Sequence, residues 1–192
     1  MFIVVALVMV ARALFEAGLM RTQQAFGLDG GFLSPEHFAQ LFSTHGTIMI
    51  FFMAMPFLTG VINYVMPMQI GARDVSFPVL NSISLGLTAA GAALVMVSLV
   101  IGRFSTGGWF GYPPYTEANF SPGVGPDYWI WALSLAGLGS TLTGINFAVT
   151  IYTERAPGMK MQRLPRVTCA ALCSALLRLF ALRLPTVAPC QV

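Results

Sequence analysis

His45 stands in Ser43-Thr44-His45-Gly46-Thr47-Ile48-Met49-Ile50-Phe51-Phe52, at the head of a long apolar run. A neutral imidazole there can ligate a haem iron axially, with Gly46 leaving room for a flat macrocycle. An interfacial histidine bonded to a loop carbonyl is the other reading, and spacing alone leans towards it. Asp74 lies in Met68-Gln69-Ile70-Gly71-Ala72-Arg73-Asp74-Val75-Ser76-Phe77-Pro78, a tight turn between apolar runs. From His45 to Met66 is ~32 Å along a helix at about 1.5 Å per residue. The imidazole and the carboxylate therefore belong at opposite membrane faces, one suited to a cofactor and the other to admitting protons.

Polar residues gather around Asp74. Asn63 and Asn81 bracket it, Ser84 follows Asn81 on the same helical side, and Ser140, Thr143, Asn146 and Thr150 make one polar stripe on an apolar helix. Hydroxyls and amides can hold a file of waters that carries protons. Bridging between helices explains each residue singly just as well, and their co-occurrence around one carboxylate is what favours a conduit. Arg12 and Glu16 form an i, i+4 pair inside an apolar helix, and His37 and Gln40 precede His45 in what the sequence predicts to be an outer loop. Together these four could bind the carbonyl oxygens of a quinone and exchange its protons. A structural ion pair with two solvated loop residues is the equally economical reading.

The elements that must position these groups are membrane helices. Of 192 residues, 56% are hydrophobic and 9% charged, far from a soluble composition. The net charge of +3 comes from scattered single charges up to Arg155, which excludes a nucleic-acid patch. Cys169, Cys173 and Cys190 form no Cys-x-x-Cys pair and have no nearby histidine, so no metal site is assigned to them. Apolar stretches over about 1 to 20, 46 to 66, 79 to 102 and 129 to 151 meet or approach the ~20 residues a span needs. A fifth candidate, roughly 167 to 187, is interrupted by Arg178, Arg183 and Pro185. Met1 opens straight into an apolar run without a basic n-region or cleavage site, which predicts a helix cut into mid-span rather than a signal peptide. Basic residues at Arg155, Lys160, Arg163 and Arg166 place the connection after the fourth span in the cytoplasm. The 21 to 45 and 103 to 128 loops then face outward, and Asp74 faces the cytoplasm. The outer loops carry Trp and Tyr suited to the headgroup zone, and small residues such as Gly86, Gly91, Gly137 and Gly139 would let the third and fourth spans approach closely. The fold class is an all-α, polytopic transmembrane bundle.

Arg21-Thr22-Gln23-Gln24, Thr44-His45-Gly46, the 69 to 78 turn, Ser121-Pro122-Gly123-Val124-Gly125, the 127 to 131 stretch, Gly144-Ile145-Asn146-Phe147 and Arg155-Ala156-Pro157-Gly158-Met159 together resemble subunit I of haem-copper terminal oxidases. The resemblance runs from about residue 8 to about 165, with motifs in family order. Met-Arg-Thr-Gln-Gln joined to Gln-Ile-Gly-Ala-Arg-Asp-Val is closest to bo-type ubiquinol oxidases. The resemblance implies that His45 is an axial ligand of the low-spin haem and that Arg21 lies near that haem's edge. It implies that Asp74 is the entrance carboxylate of a proton channel lined by Asn63, Asn81, Ser84, Ser140, Asn146 and Thr150. It implies a quinol site from Arg12, His37 and Gln40, with Glu16 where the family usually has Asp, its carboxylate about 1.5 Å further from the backbone.

Family subunits have about a dozen spans, and four or five are expected here, forming the N-terminal part over residues 1 to 165. The second axial histidine, the copper ligands and the ligand of the high-spin, oxygen-reducing haem are missing, so the stretch alone is expected to be inactive. From Arg166 onward the sequence echoes the family's next span only faintly, with arginines where apolar residues belong, and residues 166 to 192 are expected to be a degraded or frame-disrupted tail. The complete subunit implied would sit in a bacterial inner membrane with other oxidase subunits and lipid, oxidise ubiquinol, reduce oxygen to water at a haem-copper centre, and pump protons. A cytochrome c oxidase of the same fold is the nearest alternative. A truncated membrane fragment binding no cofactor is the alternative of another class.

Overall fold

The computed structural model describes residues 1–26 and 31–181, and all regular structure among them is helical. Four helical stretches are long and apolar enough to cross a membrane. The first is α1 (Phe2–Ala25). The second is a continuous helix of α2 (Pro35–Thr47), a π-helical segment (Ile48–Ala54) and α3 (Met55–Ile70). The third and fourth are α4 (Pro78–Ile101) and α5 (Gly125–Thr153), and a shorter α6 (Arg166–Ala181) packs on α5 and α3.

The second helix begins eleven residues before the predicted 46, so His37 and Gln40 are helical and not in a loop. The cause is local: Ser34 accepts a hydrogen bond from the His37 N–H, Pro35 fits the first turn, and Glu36 sits at the positive end of the dipole. Arg21 likewise belongs to α1, which runs five residues past its predicted end. The π-helical segment precedes Pro56. Proline cannot donate to the carbonyl four residues back, and its ring crowds that carbonyl. The wider turn, closed by the Met55 N–H on the Ile50 carbonyl, absorbs the misfit without breaking the helix. The fourth span begins at Gly125, four residues before the predicted 129, so Asp127 and Tyr128, predicted to end the outer loop, lie in the first turn of α5, which Pro126 starts and Asp127 complements electrostatically.

The tightest seam joins α4 to α5. A β-carbon on Gly91 would come within 2.6 Å of the Ala132 carbonyl, and one on Gly139 within 2.8 Å of the Ser84 carbonyl, so close approach at these positions requires glycine. Gly86, grouped with them by sequence, faces open space. Met9, Ala13, Ile48, Phe52, Ala92, Val95 and Ala132 form one buried apolar cluster uniting α1, the second helix, α4 and α5. A second cluster, including Met66, Phe147, Ile151 and Ala175, seats α6. The arginine expected to disrupt that helix, Arg178, turns inward and donates to Thr59 Oγ1 at 3.3 Å. Arg183, Pro185 and the rest of the candidate span after Ala181 lie outside the described residues.

Candidate functional site

One end of the bundle is organised around His45. Its Nδ1 lies 3.0 Å from the main-chain carbonyl oxygen of Ala13 on α1. A carbonyl can only accept, so Nδ1 carries the hydrogen and Nε2 of the neutral ring keeps its lone pair. The ring is half-buried, and Nε2 has no hydrogen-bond partner among the described residues. Of the two readings open to this histidine, the carbonyl partner is real, yet it belongs to a helix and leaves the second nitrogen available. That is the arrangement a metal-ligating histidine needs. The residues present therefore fit one axial bond to a haem iron.

Gly46 does not open space for a macrocycle. A β-carbon there would meet Trp109 Cδ1 at 3.0 Å, so the missing side chain seats an indole from the loop after α4. That loop folds back over α2: the Gly108 N–H donates to Ser43 Oγ at 2.9 Å and the Phe104 N–H to Gln40 Oε1 at 3.4 Å. Phe51, Trp109, Phe110 and Tyr112 continue as a run of aromatic contacts. Sequence reasoning missed Ser43, Thr44 and Thr47. Their spacing with Gln40 along one helix face was the available signal, and all three are fully buried, with hydroxyls bonded to carbonyls four residues back. It missed Ala13 as well, because a main-chain acceptor leaves no trace in residue type.

Arg12 and Glu16 are brought together, Nη2 to Oε1 at 3.1 Å, with Glu16 fully buried on the inner face of α1. Neither carboxylate oxygen has an aligned hydrogen bond, so charge alone holds the pair. Arg12 also lies over the Phe15 ring, 5.8 Å from its centroid. Gln40 is occupied elsewhere, by Glu36 at 3.5 Å and by the Phe104 N–H. The exposed His37 ring makes no hydrogen bond among the described residues. Arg21 is exposed and donates to Gln24 at 3.4 Å.

At the other end, the turn bearing Asp74 is bolted to α5. Asn146 accepts from the Phe77 N–H at 3.0 Å and donates to the Phe77 carbonyl at 3.1 Å, while Thr150 Oγ1 accepts from the Ser76 N–H at 2.9 Å. The Ala156 N–H reaches the Ile70 carbonyl at 2.9 Å, which puts the basic segment after α5 on the same face as the turn. Asp74 itself is exposed, and its Oδ1 accepts only from the adjacent Val75 N–H, at 2.7 Å. Ser84 donates to the Gly139 carbonyl at 2.7 Å and bonds the Thr143 hydroxyl across the seam. Asn63 and Asn81 each present a buried side-chain oxygen without a protein donor. Ser140 lines a cavity of about 220 Å³ walled by Thr59, Thr88, Ser134, Thr143 and the aromatic loop. The candidate channel residues thus divide into those that clasp helices (Ser84, Asn146, Thr150) and those with capacity to spare (Asn63, Asn81, Ser140). Among the described residues no three of His, Cys, Asp and Glu come together to hold a metal ion.

An all-helical bundle with four membrane-capable stretches defines a multi-pass membrane protein. The family described as cytochrome c and quinol oxidase polypeptide I matches residues 1–190, and the chain belongs to it. The match continues through the segment where sequence reading found only an echo. Ubiquinol oxidase subunit 1 of Acetobacter aceti is 53% identical over 190 residues, covering 98% of this chain and 29% of that protein. Cytochrome bo(3) ubiquinol oxidase subunit 1 of Buchnera aphidicola subsp. Schizaphis graminum is 52% identical over 179 residues, 92% of this chain and 27% of its own length. A probable cytochrome c oxidase subunit 1 of Bradyrhizobium diazoefficiens is 48% identical over 178 residues, with the same shares. The chain thus spans less than a third of these relatives, and like them it is a bacterial membrane protein.

Proposed function

We propose that the chain is the N-terminal part of the catalytic subunit of a respiratory ubiquinol oxidase that reduces oxygen to water and pumps protons, working with further oxidase subunits in the inner membrane. The observation that carries this reading is His45, tied through Nδ1 to α1 so that Nε2 is free to hold the low-spin haem. When bound, that haem supplies one-electron transfer from the donor. The high-spin haem and copper would be held by chain outside this stretch. Arg12 and Glu16, three residues or fewer from the Ala13 carbonyl, would bind the quinol head group and exchange its protons, with His37 and Gln40 at the outer rim and Arg21 beside the haem edge. Asp74 would gather protons at the cytoplasmic face, where among the described residues nothing claims its carboxylate beyond its neighbour's N–H. Asn63, Asn81 and Ser140 would hold water by their spare hydrogen-bonding capacity, with Ser84, Asn146 and Thr150 keeping the path's walls together.

A cytochrome c oxidase is the second reading, supported by the Bradyrhizobium relative and by Gln40, whose amide is committed to Glu36 and Phe104 instead of the ion pair. Reduced-minus-oxidised spectra of the complete oxidase test the shared part: His45→Ala should abolish the low-spin haem signal and leave the oxygen-binding haem visible. A normal spectrum would end the assignment. Donor choice is tested by turnover, which ubiquinol should sustain and reduced cytochrome c should not.

A further inference from the structure

We infer that Arg178 is an electrostatic gate on the proposed proton path, a fixed positive charge that slows protons passing from the Asn63 side to the cavity lined by Ser140. The inference rests on the reading of these residues as a conduit. Two contacts in one register fix the place of Arg178 in the bundle. Thr168 donates to Gln69 Oε1 at 2.8 Å and Arg178 to Thr59 Oγ1 at 3.3 Å, so the two contacts are equally far apart on α6 and on the second helix. The two helices therefore run antiparallel, and the guanidinium stands ~15 Å from Gln69 at about 1.5 Å per residue. Gln69 is next to last in its helix, which leaves Arg178 near the middle of a hydrocarbon core about 30 Å thick. Gly144 allows the inward aim. A β-carbon there would meet the Ala175 carbonyl at 3.3 Å and Arg178 Cβ at 3.8 Å, so α6 lies directly against α5 at this height.

Thr59 is the joint of the path. Its carbonyl accepts from the Asn63 amide at 3.0 Å, its hydroxyl accepts from Arg178, and it walls the cavity of about 220 Å³ shared with Ser140 and Thr143. Waters held by the spare Asn63 oxygen would reach that cavity past Thr59. A proton moving along such a file meets the guanidinium within roughly 10 Å, one helical turn plus one hydrogen bond. Nothing on the neighbouring spans offsets the charge. The second helix carries no acidic residue between His37 and Ile70, α5 none between Tyr128 and Thr153, and α6 none along its length. Among the described residues Arg178 makes no ion pair and only the one hydrogen bond. A guanidinium keeps its charge in a protein. Like charges about 10 Å apart in a protein interior repel strongly enough to slow passage by about tenfold, and pores that exclude protons use arginine in the same way.

The test separates charge from shape, in the complete oxidase reconstituted in vesicles and followed with a pH-sensitive dye. Arg178→Gln keeps a donor for Thr59 and loses the charge, Arg178→Met keeps only the length, and Arg178→Lys keeps the charge. Proton uptake should be about tenfold faster than in the parent for the Gln and Met variants and parental for the Lys variant. The low-spin haem spectrum should be the same in all of them. A role in packing alone would not sort the variants by charge, and either neutral variant suffices should the other fail to assemble. Parental uptake in the neutral variants, as when a carboxylate elsewhere in the subunit already balances the guanidinium, would overturn the inference. So would an Arg178→Lys oxidase as fast as the Gln variant. Failure of the conduit reading looks different: Asp74→Asn, introduced into the Arg178→Gln oxidase, would leave uptake unchanged.

Discussion

Replacing Gly139 by alanine should loosen the α4–α5 seam, although alanine is the better helix former. A β-carbon at this position would stand 2.8 Å from the Ser84 carbonyl oxygen, 2.9 Å from Thr88 Oγ1 and 3.4 Å from Leu87 Cβ. The nearest atom is main chain, and Thr88 Oγ1 is tied to that same carbonyl at 2.9 Å, so neither can swing aside. The helices must separate by several tenths of an ångström. Overpacking of this kind costs about 1–3 kcal/mol, and stretching the 2.7 Å bond from Ser84 to the Gly139 carbonyl adds about 0.6 kcal/mol, the average for hydrogen bonds between membrane helices. Against this stands a helix-propensity gain of about 0.8–1 kcal/mol. The net is a destabilisation of about 0.6–2.8 kcal/mol. Gly86→Ala isolates the propensity gain, because nothing lies within 4 Å of a β-carbon there. Unfolding of the purified oxidase in increasing detergent denaturant should place Gly139→Ala below the parent and Gly86→Ala at or slightly above it. Equal effects of the two substitutions, or a Gly139→Ala oxidase as stable as the parent, would refute the close-approach reasoning.

Asp74→Asn should slow proton uptake and lower pumping in vesicles with the haem spectra intact, since it keeps the side chain's shape and removes the charge; unchanged proton-to-electron stoichiometry and turnover would remove Asp74 from the pathway. Thr150→Val should cost about 1 kcal/mol and speed hydrogen exchange at the Ser76 amide, which loses its acceptor. Unaltered exchange there would mean that the turn does not depend on α5. Arg12→Leu should cost about 3–5 kcal/mol by leaving the fully buried Glu16 unpaired, and Arg12→Leu combined with Glu16→Gln should recover much of it. Ubiquinol turnover should fall in both variants while the low-spin signal persists, and intact turnover would sink the quinol reading.

The membrane fold was legible because lipid leaves the backbone little freedom, so apolar length alone located four spans. The Arg12–Glu16 pair was legible because i, i+4 spacing makes contact almost obligatory within one helix. What sequence spacing could not supply were relations between elements. The start of α2 carried its own signal in Ser34-Pro35-Glu36, but the apolar run that located the span begins only at about residue 46 and left the polar turns before it as loop. The reach of Arg178 into the bundle depends on Thr59 standing opposite, and the seat of Trp109 on Gly46 depends on a loop folding back across some sixty residues. The acceptor of His45 was hidden most completely, because any residue type offers the same carbonyl.

The two ends of the bundle hold their reactive groups by opposite means, and the difference bears on how each tolerates change. At the His45 end the group itself is tethered: one nitrogen of His45 is spent on α1, which leaves the other without a hydrogen-bond partner among the described residues. At the Asp74 end the backbone is tethered and the group is left loose. Asn146 and Thr150 grip the main chain at Phe77 and Ser76, three and two residues beyond Asp74, and leave the carboxylate with a single local bond among the described residues. On the proposed reading this suits the two roles, since a metal ligand must be fixed to within tenths of an ångström, whereas a proton collector must turn between water and whatever receives the proton. Loss of a side chain on α5 should therefore disturb the position of Asp74 without touching its chemistry, while at His45 position and chemistry fail together. What matters at the His45 end is the fit of α1 against the second helix; at the Asp74 end it is one charge on a clamped turn.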